Sequence, residues 1–148
     1  MGAASWPEQY LMHIENEIFI PASAGHVFDA VLRQIGPDMT RADGVAMPLT
    51  IEPWPGGRWY RDLGNQSGHW WGHVQVIKPP HVLEICGPMF MSYPVVSHVQ
   101  FRLTEVAGGV RLVVVHRAMG EILPAHRQAA KAGWIDMLSR VKGRCGSV

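Results

Sequence analysis

Residues 109–116 read Gly-Val-Arg-Leu-Val-Val-Val-His, and residues 133–145 read Gly-Trp-Ile-Asp-Met-Leu-Ser-Arg-Val-Lys-Gly-Arg-Cys. The first stretch is rich in β-branched residues, which is typical of a strand. The second has apolar residues at spacings of three and four, which predicts an amphipathic helix. Because the chain before them is rich in strands, we expect a curved sheet that grips this closing helix, with the functional site between the two.

Length and composition indicate a single domain over residues 1–148, with residues 1–11 as an N-terminal extension. The apolar content of 47% and the charged content of 17% are typical of a folded soluble protein. No apolar run approaches the roughly 20 residues that span a membrane, and the N-terminus does not have the pattern of a signal peptide. We therefore expect a cytoplasmic protein that does not bind a membrane.

Several other classes of site are not expected. The formal net charge of +1 leaves no clustered positive charge for a nucleic acid. Gly57 is not followed by a phosphate-loop pattern, so we expect no nucleotide cofactor. His69 and His73 are four residues apart on a predicted strand, roughly 13 Å, which is too far for one metal ion. Cys86 and Cys145 are expected to be free thiols.

The remaining pattern predicts a strand, a helix, about six strands in hairpin succession and a closing helix. The helix begins after the N-cap Ser23 and ends at Gly36, and the closing helix lies beyond Pro124. Hairpins imply an antiparallel sheet, so the fold class is α+β. The predicted strands cover residues 13–20, 49–53, 58–63, 69–78, 82–86, 95–105 and 110–117.

These segments together resemble a known superfamily. The features that carry the resemblance are the strand and helix at 18–32, the Pro-Gly-Gly turn at 55–57, and residues 72–83, 109–116 and 133–138. They are similar to the SRPBCC (START-like) superfamily, and most similar to the branch named after the activator of heat-shock-protein ATPase. The resemblance implies a helix-grip fold, in which a curved antiparallel sheet of six to seven strands wraps around a long C-terminal helix and leaves a cavity. Members bind lipids, hormones or polyketides, or act as cyclases or co-chaperones, so the fold implies no single activity.

Side chains alternate along a strand, so the faces of the sheet can be assigned. On residues 58–63, Trp59 and Arg61 share one face, which we expect to point inward. On residues 69–78 the inward set is expected to begin at Trp70, which leaves Trp71 outward. The inward residues of the last two strands are expected to be Val95, Ser97, Val99, Phe101, Leu103, Val110, Leu112, Val114 and His116.

Arg61 and His116 are the polar candidates for the cavity. Arg61 can anchor a carboxylate or phosphate on an apolar ligand, or it can pair with Asp62, Glu52 or Glu84. His116 can orient a ligand or act as an acid or base, or its ring can be satisfied within the core.

The connection after the fifth strand is unusually apolar. Met89, Phe90 and Tyr93 give it the composition of an adaptable surface, which fits the mouth of a cavity, a plug at the end of the core, or a homodimer contact. The residues predicted to bind a ligand are Arg61, His116, Trp59, Trp70, Met89, Phe90, Tyr93, Phe101, Trp134 and Leu138.

The interpretation that these patterns favour is binding of a hydrophobic or aromatic small molecule, optionally with an acidic group, between the sheet and the C-terminal helix. One alternative is an enzyme of the cyclase or dehydratase kind with His116 as acid or base. Another is a co-chaperone-like interaction module, which would use an outer sheet face formed by His69, Trp71, His73 and His98.

Overall fold

A computed structural model of the protein describes residues 7–146. A short 3-10 helix, Glu8–Tyr10, precedes the sheet, and residues 1–6 of the expected N-terminal extension lie outside the described residues. The elements that follow are β1 (Leu11–Ile20), α1 (Ala24–Ile35), β2 (Thr50–Ile51), β3 (Arg58–Gly64), β4 (Ser67–Lys78), β5 (Val82–Gly87), β6 (Val95–Val106), β7 (Gly109–Gly120) and α2 (Pro124–Cys145).

The seven strands form one sheet in the order β1-β7-β6-β5-β4-β3-β2, and every neighbouring pair is antiparallel. The sheet curves around α2, and α1 packs beside that helix. The fold is therefore α+β with the helix-grip architecture, as predicted. Among the described strands, only the pairing of β1 with β7 and the pairing of β6 with β7 extend over ten or more residue pairs. The sheet is therefore most regular on that side.

Local sequence accounts for both helices. The Ser23 side chain accepts a hydrogen bond from the backbone N–H of His26 and so caps α1, as predicted. Pro124 begins α2, where a proline costs no hydrogen bond. The buried stripe of α2 is the predicted one and consists of Ala130, Trp134, Met137, Leu138, Val141 and Cys145.

The alternation predicted for the last two strands is confirmed. Ser97, Val99, Phe101 and Leu103 of β6 are buried, and Arg102 between them is exposed. On β7 the inward set is likewise buried and consists of Val110, Leu112, Val114 and His116.

The alternation predicted for the start of β4 is wrong. Trp59 pairs with Gly72 and Tyr60 pairs with Trp70, so Trp71 has no partner on β3 and forms a β-bulge. The bulge reverses the local alternation, which leaves Trp70 48% exposed and buries Trp71. The outer face proposed for an interaction module therefore lacks Trp71.

Three features of the described residues bear on the classes of site. Neither helix in residues 7–146 is long and apolar enough to cross a membrane. Within the same residues, no group of three or more His, Cys, Asp or Glu side chains is placed to hold a metal ion. Cys86 and Cys145 are free thiols.

Candidate functional site

A cavity of about 370 Å³ lies between the sheet and α2, and we call it the inner cavity. Aromatic rings and methionine side chains form much of its wall. These residues are Met39, Met47, Trp59, Trp71, Met89, Phe90, Trp134 and Met137. The wall is therefore suited to an apolar ligand.

Small residues on α2 leave room for the inner cavity. Ala129, Ala130, Ala132 and Gly133 line it from the N-terminal half of that helix. A Cβ built on Gly133 meets no atom within 4 Å, so the space beside it is open. Glycine inside a helix costs about 1 kcal/mol relative to alanine. Gly133 is exposed where the helix borders the cavity, so a large side chain at this position would reach the opening.

The wall formed by the sheet is held in place by packing and by one hydrogen bond. The indole N–H of Trp59 donates to the carbonyl oxygen of Ile35 at 2.8 Å, which satisfies the last carbonyl of α1. The rings of Trp59 and Trp71 meet edge to face, with centroids 5.0 Å apart. Phe90 continues the series, 6.2 Å from Trp71. These contacts give a fixed aromatic surface before any ligand binds.

Charged side chains at the rim of the inner cavity already have partners. Arg41 lies 2.6 Å from a carboxylate oxygen of Asp43, and Arg140 lies 2.7 Å from one of Asp136. Both pairs are largely exposed, so each contributes little to stability. Their consequence for a ligand is that neither guanidinium presents an uncompensated charge to the inner cavity.

His116 is fully buried and both of its ring nitrogens are occupied. The indole N–H of Trp134 donates to Nδ1 at 2.9 Å, and Nε2 lies 2.9 Å from the hydroxyl oxygen of Ser97. Trp134 can only donate, so Nδ1 must be unprotonated and Nε2 carries the hydrogen that Ser97 accepts. Burial lowers the pKa of His116 to about 4 because it disfavours the imidazolium.

This arrangement is unsuited to acid–base or nucleophilic chemistry. A serine nucleophile needs a free lone pair on the histidine nitrogen that faces it, and here that nitrogen carries a hydrogen. The other nitrogen accepts from Trp134. His116 also contributes no surface to the inner cavity, whereas Trp134 does. His116 points inward as predicted, but it lies in the packed core and holds the ring of Trp134.

A second recess of about 500 Å³ adjoins the inner cavity, and we call it the outer cavity. The two share four lining residues, which are Met47, Trp71, Met89 and Phe90. The residues that line only the outer cavity include Arg61, Gly68, His69, Trp70, Ser92 and Tyr93. Arg61 is half-buried there, so it faces the neighbouring recess and contributes no surface to the inner cavity.

Tyr93 ties the outer cavity to the start of α2. Its hydroxyl accepts a hydrogen bond from the backbone N–H of Leu123 at 3.3 Å. The hydroxyl can then donate to Nδ1 of His126, which is 2.8 Å away. The two rings are nearly parallel, with an angle of 5° between their planes. The connection between β5 and β6 is thereby fixed against the helix.

The other predicted residues divide between the cavities and the core. Trp59, Met89, Phe90 and Trp134 line the inner cavity. Phe101 and Leu138 are instead packed within the core and line neither cavity. Phe101 meets Trp134 edge to face at 5.8 Å, so it supports the wall from behind. The residue spacing cannot distinguish such a supporting ring from a lining one.

The main residues that the prediction missed are Trp71, Met137 and Gly133. Trp71 was assigned to the outer face because a bulge leaves no clear signal in an alternating pattern. Met137 was placed correctly in the buried stripe of α2, but the stripe does not show where packing ends and the cavity begins. The run of alanines before Gly133 was the available sign that the helix leaves space.

A third recess of about 700 Å³ lies on the convex side of the sheet. Leu11, Val96 and Met119, which are exposed side chains on neighbouring strands, form much of its apolar surface. Helical residues reach only part of its lining, which includes Glu8 of the 3-10 helix and Arg127 of α2. The inner cavity, which has walls on both the sheet and α2, is the stronger candidate for a small-molecule site.

Comparison with known proteins identifies relatives of this chain. Residues 22–145 match the family model described as activator of Hsp90 ATPase homolog 1-like protein. Among curated proteins, none matches the sequence significantly.

Similar solved structures support the fold. Protein CV1439 from Chromobacterium violaceum has a TM-score of 0.74 and 14% identity over 92% of this chain and 98% of its own. Protein MLL2253 from Mesorhizobium loti has a TM-score of 0.67 and 17% identity over 89% and 95%. StfQ, a di-domain ARO/CYC from the steffimycin biosynthetic pathway, has a TM-score of 0.63 and 12% identity over 93% of this chain and 51% of its own. At these identities the likeness concerns the fold alone.

Proposed function

This chain belongs to the activator of Hsp90 ATPase homolog 1-like family, and from that premise we propose that it binds a hydrophobic or aromatic small molecule in the inner cavity. The observation that carries the proposal is the cavity itself. Its volume of about 370 Å³ falls within the usual range of small-molecule sites, about 300–1,000 Å³. Apolar burial against the tryptophan, phenylalanine and methionine side chains supplies the affinity.

One fold neighbour is in keeping with this use of the cavity. StfQ is named as an ARO/CYC protein from a biosynthetic pathway. Its low identity transfers no substrate to this chain. Its name supports only the idea that this fold can serve small-molecule chemistry.

The bonding of His116 weighs against the cyclase or dehydratase alternative. An acid or base must reach the proton that it transfers, and His116 is separated from the inner cavity by Trp134, to which it is bonded. The co-chaperone alternative loses Trp71 from its proposed surface, because that side chain is buried rather than exposed. A role in ligand binding without catalysis is the proposal that the geometry favours.

A pair of glycines in α2 allows a matched test with a neutral fluorescent ligand, N-phenyl-1-naphthylamine. Gly133 lines the inner cavity, while Gly143 does not, and a Cβ meets no atom within 4 Å at either position. Both Gly133→Phe and Gly143→Phe replace a helical glycine, so neither is expected to destabilise the fold. The change at 133 covers or enters the mouth of the cavity.

We expect Gly133→Phe to weaken dye binding about tenfold and Gly143→Phe to change it less than twofold. Losing about 60 Å² of buried ligand surface corresponds to roughly 1.5 kcal/mol, which is about tenfold in affinity. Fluorescence titration measures both dissociation constants, and thermal melting checks that the variants are folded. Equal affinities for the two folded variants, or no binding by the unchanged protein, would contradict the proposal.

A further inference from the structure

The inner and outer cavities are placed so that one ligand can occupy both. They share Met47, Trp71, Met89 and Phe90 as a common boundary. Two of these are methionines, whose unbranched side chains adapt to different shapes. A ligand longer than the inner cavity can therefore extend across the boundary toward Arg61.

Arg61 differs from the other arginines near the site because no described residue neutralises it. It is half-buried, it has no partner among the ion pairs and side-chain hydrogen bonds of residues 7–146, and its guanidinium nitrogens are accessible to water. Arg58, three residues earlier, instead contacts both carboxylate oxygens of Glu52, at 2.8 and 3.1 Å. At the rim of the inner cavity, Arg41 and Arg140 are also paired.

The rest of the outer cavity does not compensate the charge of Arg61. Its lining contains no aspartate or glutamate, and the residue that faces Arg61 across the strands is His69. The guanidinium of Arg61 is solvated and has no counterion, so its charge is open to a ligand. A carboxylate, sulfonate or phosphate can pair with it bidentately. The chemistry of this recess is therefore selective for an anion.

Aromatic surface surrounds the same position. Trp70, Trp71, Phe90 and Tyr93 all line the outer cavity. The ring series that begins at Trp59 in the inner cavity continues through Trp71 and Phe90 to this recess. A flat ring system that enters the inner cavity would keep aromatic contact as it approaches the charge.

We propose that the two cavities are a single two-part site for an aromatic acid, with the ring system in the inner cavity and the acidic group on Arg61 in the outer one. This inference rests on the proposed function and names its ligand class. It assigns Arg61 as the residue that distinguishes acidic from neutral ligands of the same shape.

Two dyes that differ only in a sulfonate test the assignment. 8-Anilinonaphthalene-1-sulfonate carries the acid, and N-phenyl-1-naphthylamine is its neutral counterpart. Arg61→Met removes the charge while keeping an unbranched side chain. Arg102→Met is the matched control, because Arg102 is exposed on β6 and lines neither cavity.

We expect Arg61→Met to weaken binding of the sulfonated dye about tenfold, as for a charge-assisted hydrogen bond, and to change the affinity for the neutral dye less than twofold. Arg102→Met should alter neither. Gly133→Phe should weaken both dyes, because both place their rings in the inner cavity. Fluorescence titrations at one fixed salt concentration provide all the dissociation constants.

The outcomes separate this inference from the function on which it rests. If Arg61→Met changes the affinity for both dyes equally, or for neither, Arg61 does not select for an acid. The proposal of binding in the inner cavity is then unaffected. If Gly133→Phe weakens only the neutral dye, the sulfonate occupies a separate site and the two-part arrangement is wrong. If neither dye binds the unchanged protein, the proposed function fails, and the inference fails with it.

Discussion

The two sides of the sheet that grip α2 differ in how completely they are packed. On one side, which we call the packed half, β1, β6 and β7 pair over long regular ladders, and His116 has both nitrogens bonded. On the other, the open half, β3, β4 and residues 88–93 surround the inner and outer cavities. Trp134 belongs to both, since it bonds His116 and lines the inner cavity.

The open half also contains the local irregularities of the fold. Trp71 lies in a bulge, and Met89 has a φ of 58°, which is uncommon for a residue other than glycine. The backbone N–H of Met89 donates to the carbonyl oxygen of Trp71 at 2.9 Å, so the two features support each other. Irregular backbone costs stability, and it persists here beside the space that we assign to the ligand. The comparison indicates that the packed half supplies stability and the open half supplies binding.

The largest expected effect tests this division with two tryptophans. Trp134→Ala removes a buried ring and leaves Nδ1 of His116 without its donor, so we expect a loss of about 4 kcal/mol in the free energy of unfolding. Trp70→Ala removes a ring that is about half exposed, and we expect a loss below about 1 kcal/mol. Urea denaturation measures both. Similar losses would mean that the ring of Trp70 is packed as tightly as the ring of Trp134.

A second test uses the pH dependence of stability that His116 gives to the packed half. The pKa of His116 falls from 6.5 to about 4 on folding. Between these values the unfolded chain binds more protons than the folded one, so stability rises with pH in this window and is lost as pH falls from 6.5 to 4. The full difference is about 3 kcal/mol.

The matched variant for this test is His116→Gln, whose amide can accept from Trp134 and donate to Ser97 without titrating. We expect urea melts at pH 7 and pH 4 to show that the unchanged protein loses about 3 kcal/mol more than His116→Gln does. Other titrating groups are common to the two proteins and cancel. The same pH dependence in both would mean that His116 is not held neutral by burial.

The same division explains how much could be predicted from sequence. Strict alternation on β6 and β7, and the stripe on α2, placed Phe101, His116 and Leu138 correctly in the interior. The pattern could not show that these three side chains fill the core while Trp59 and Trp134 border a cavity, because both environments favour apolar residues. The partners of His116 also escaped prediction, since Ser97 and Trp134 come from distant segments.

On the open half, one unpaired residue was enough to exchange the predicted burial of Trp70 and Trp71. A bulge adds a residue to one strand without interrupting its composition, so a rule of period two continues through it in the wrong phase. Glycine gives a partial sign of the irregularity. A Cβ on Gly87 would lie 2.4 Å from the carbonyl oxygen of Trp71, so β5 can approach the bulge only with glycine there.

The smallest expected effect compares one hairpin turn from each half. In the turn between β6 and β7, the residue with positive φ is a glycine, Gly108, whose φ is 82°. Between β3 and β4 the turn residues Asn65 and Gln66 have φ values of 53° and 61°, so Gln66 is held in the left-handed region without the freedom of glycine. A two-residue hairpin turn in which both central residues have positive φ favours the sequence Asn-Gly.

Gln66→Gly should therefore raise the free energy of unfolding by about 0.5–1 kcal/mol. The change removes the strain of a left-handed glutamine, and the greater entropy of glycine in the unfolded chain offsets part of that gain. Gly108→Ala should lower it by about 1 kcal/mol, because the new Cβ meets only Phe19, at 3.9 Å, and the change is one of backbone strain. Urea melts should therefore show changes of opposite sign in the free energy of unfolding of the two variants. A loss of stability in Gln66→Gly would show that the turn of the open half is held by contacts of the glutamine side chain and not limited by its backbone.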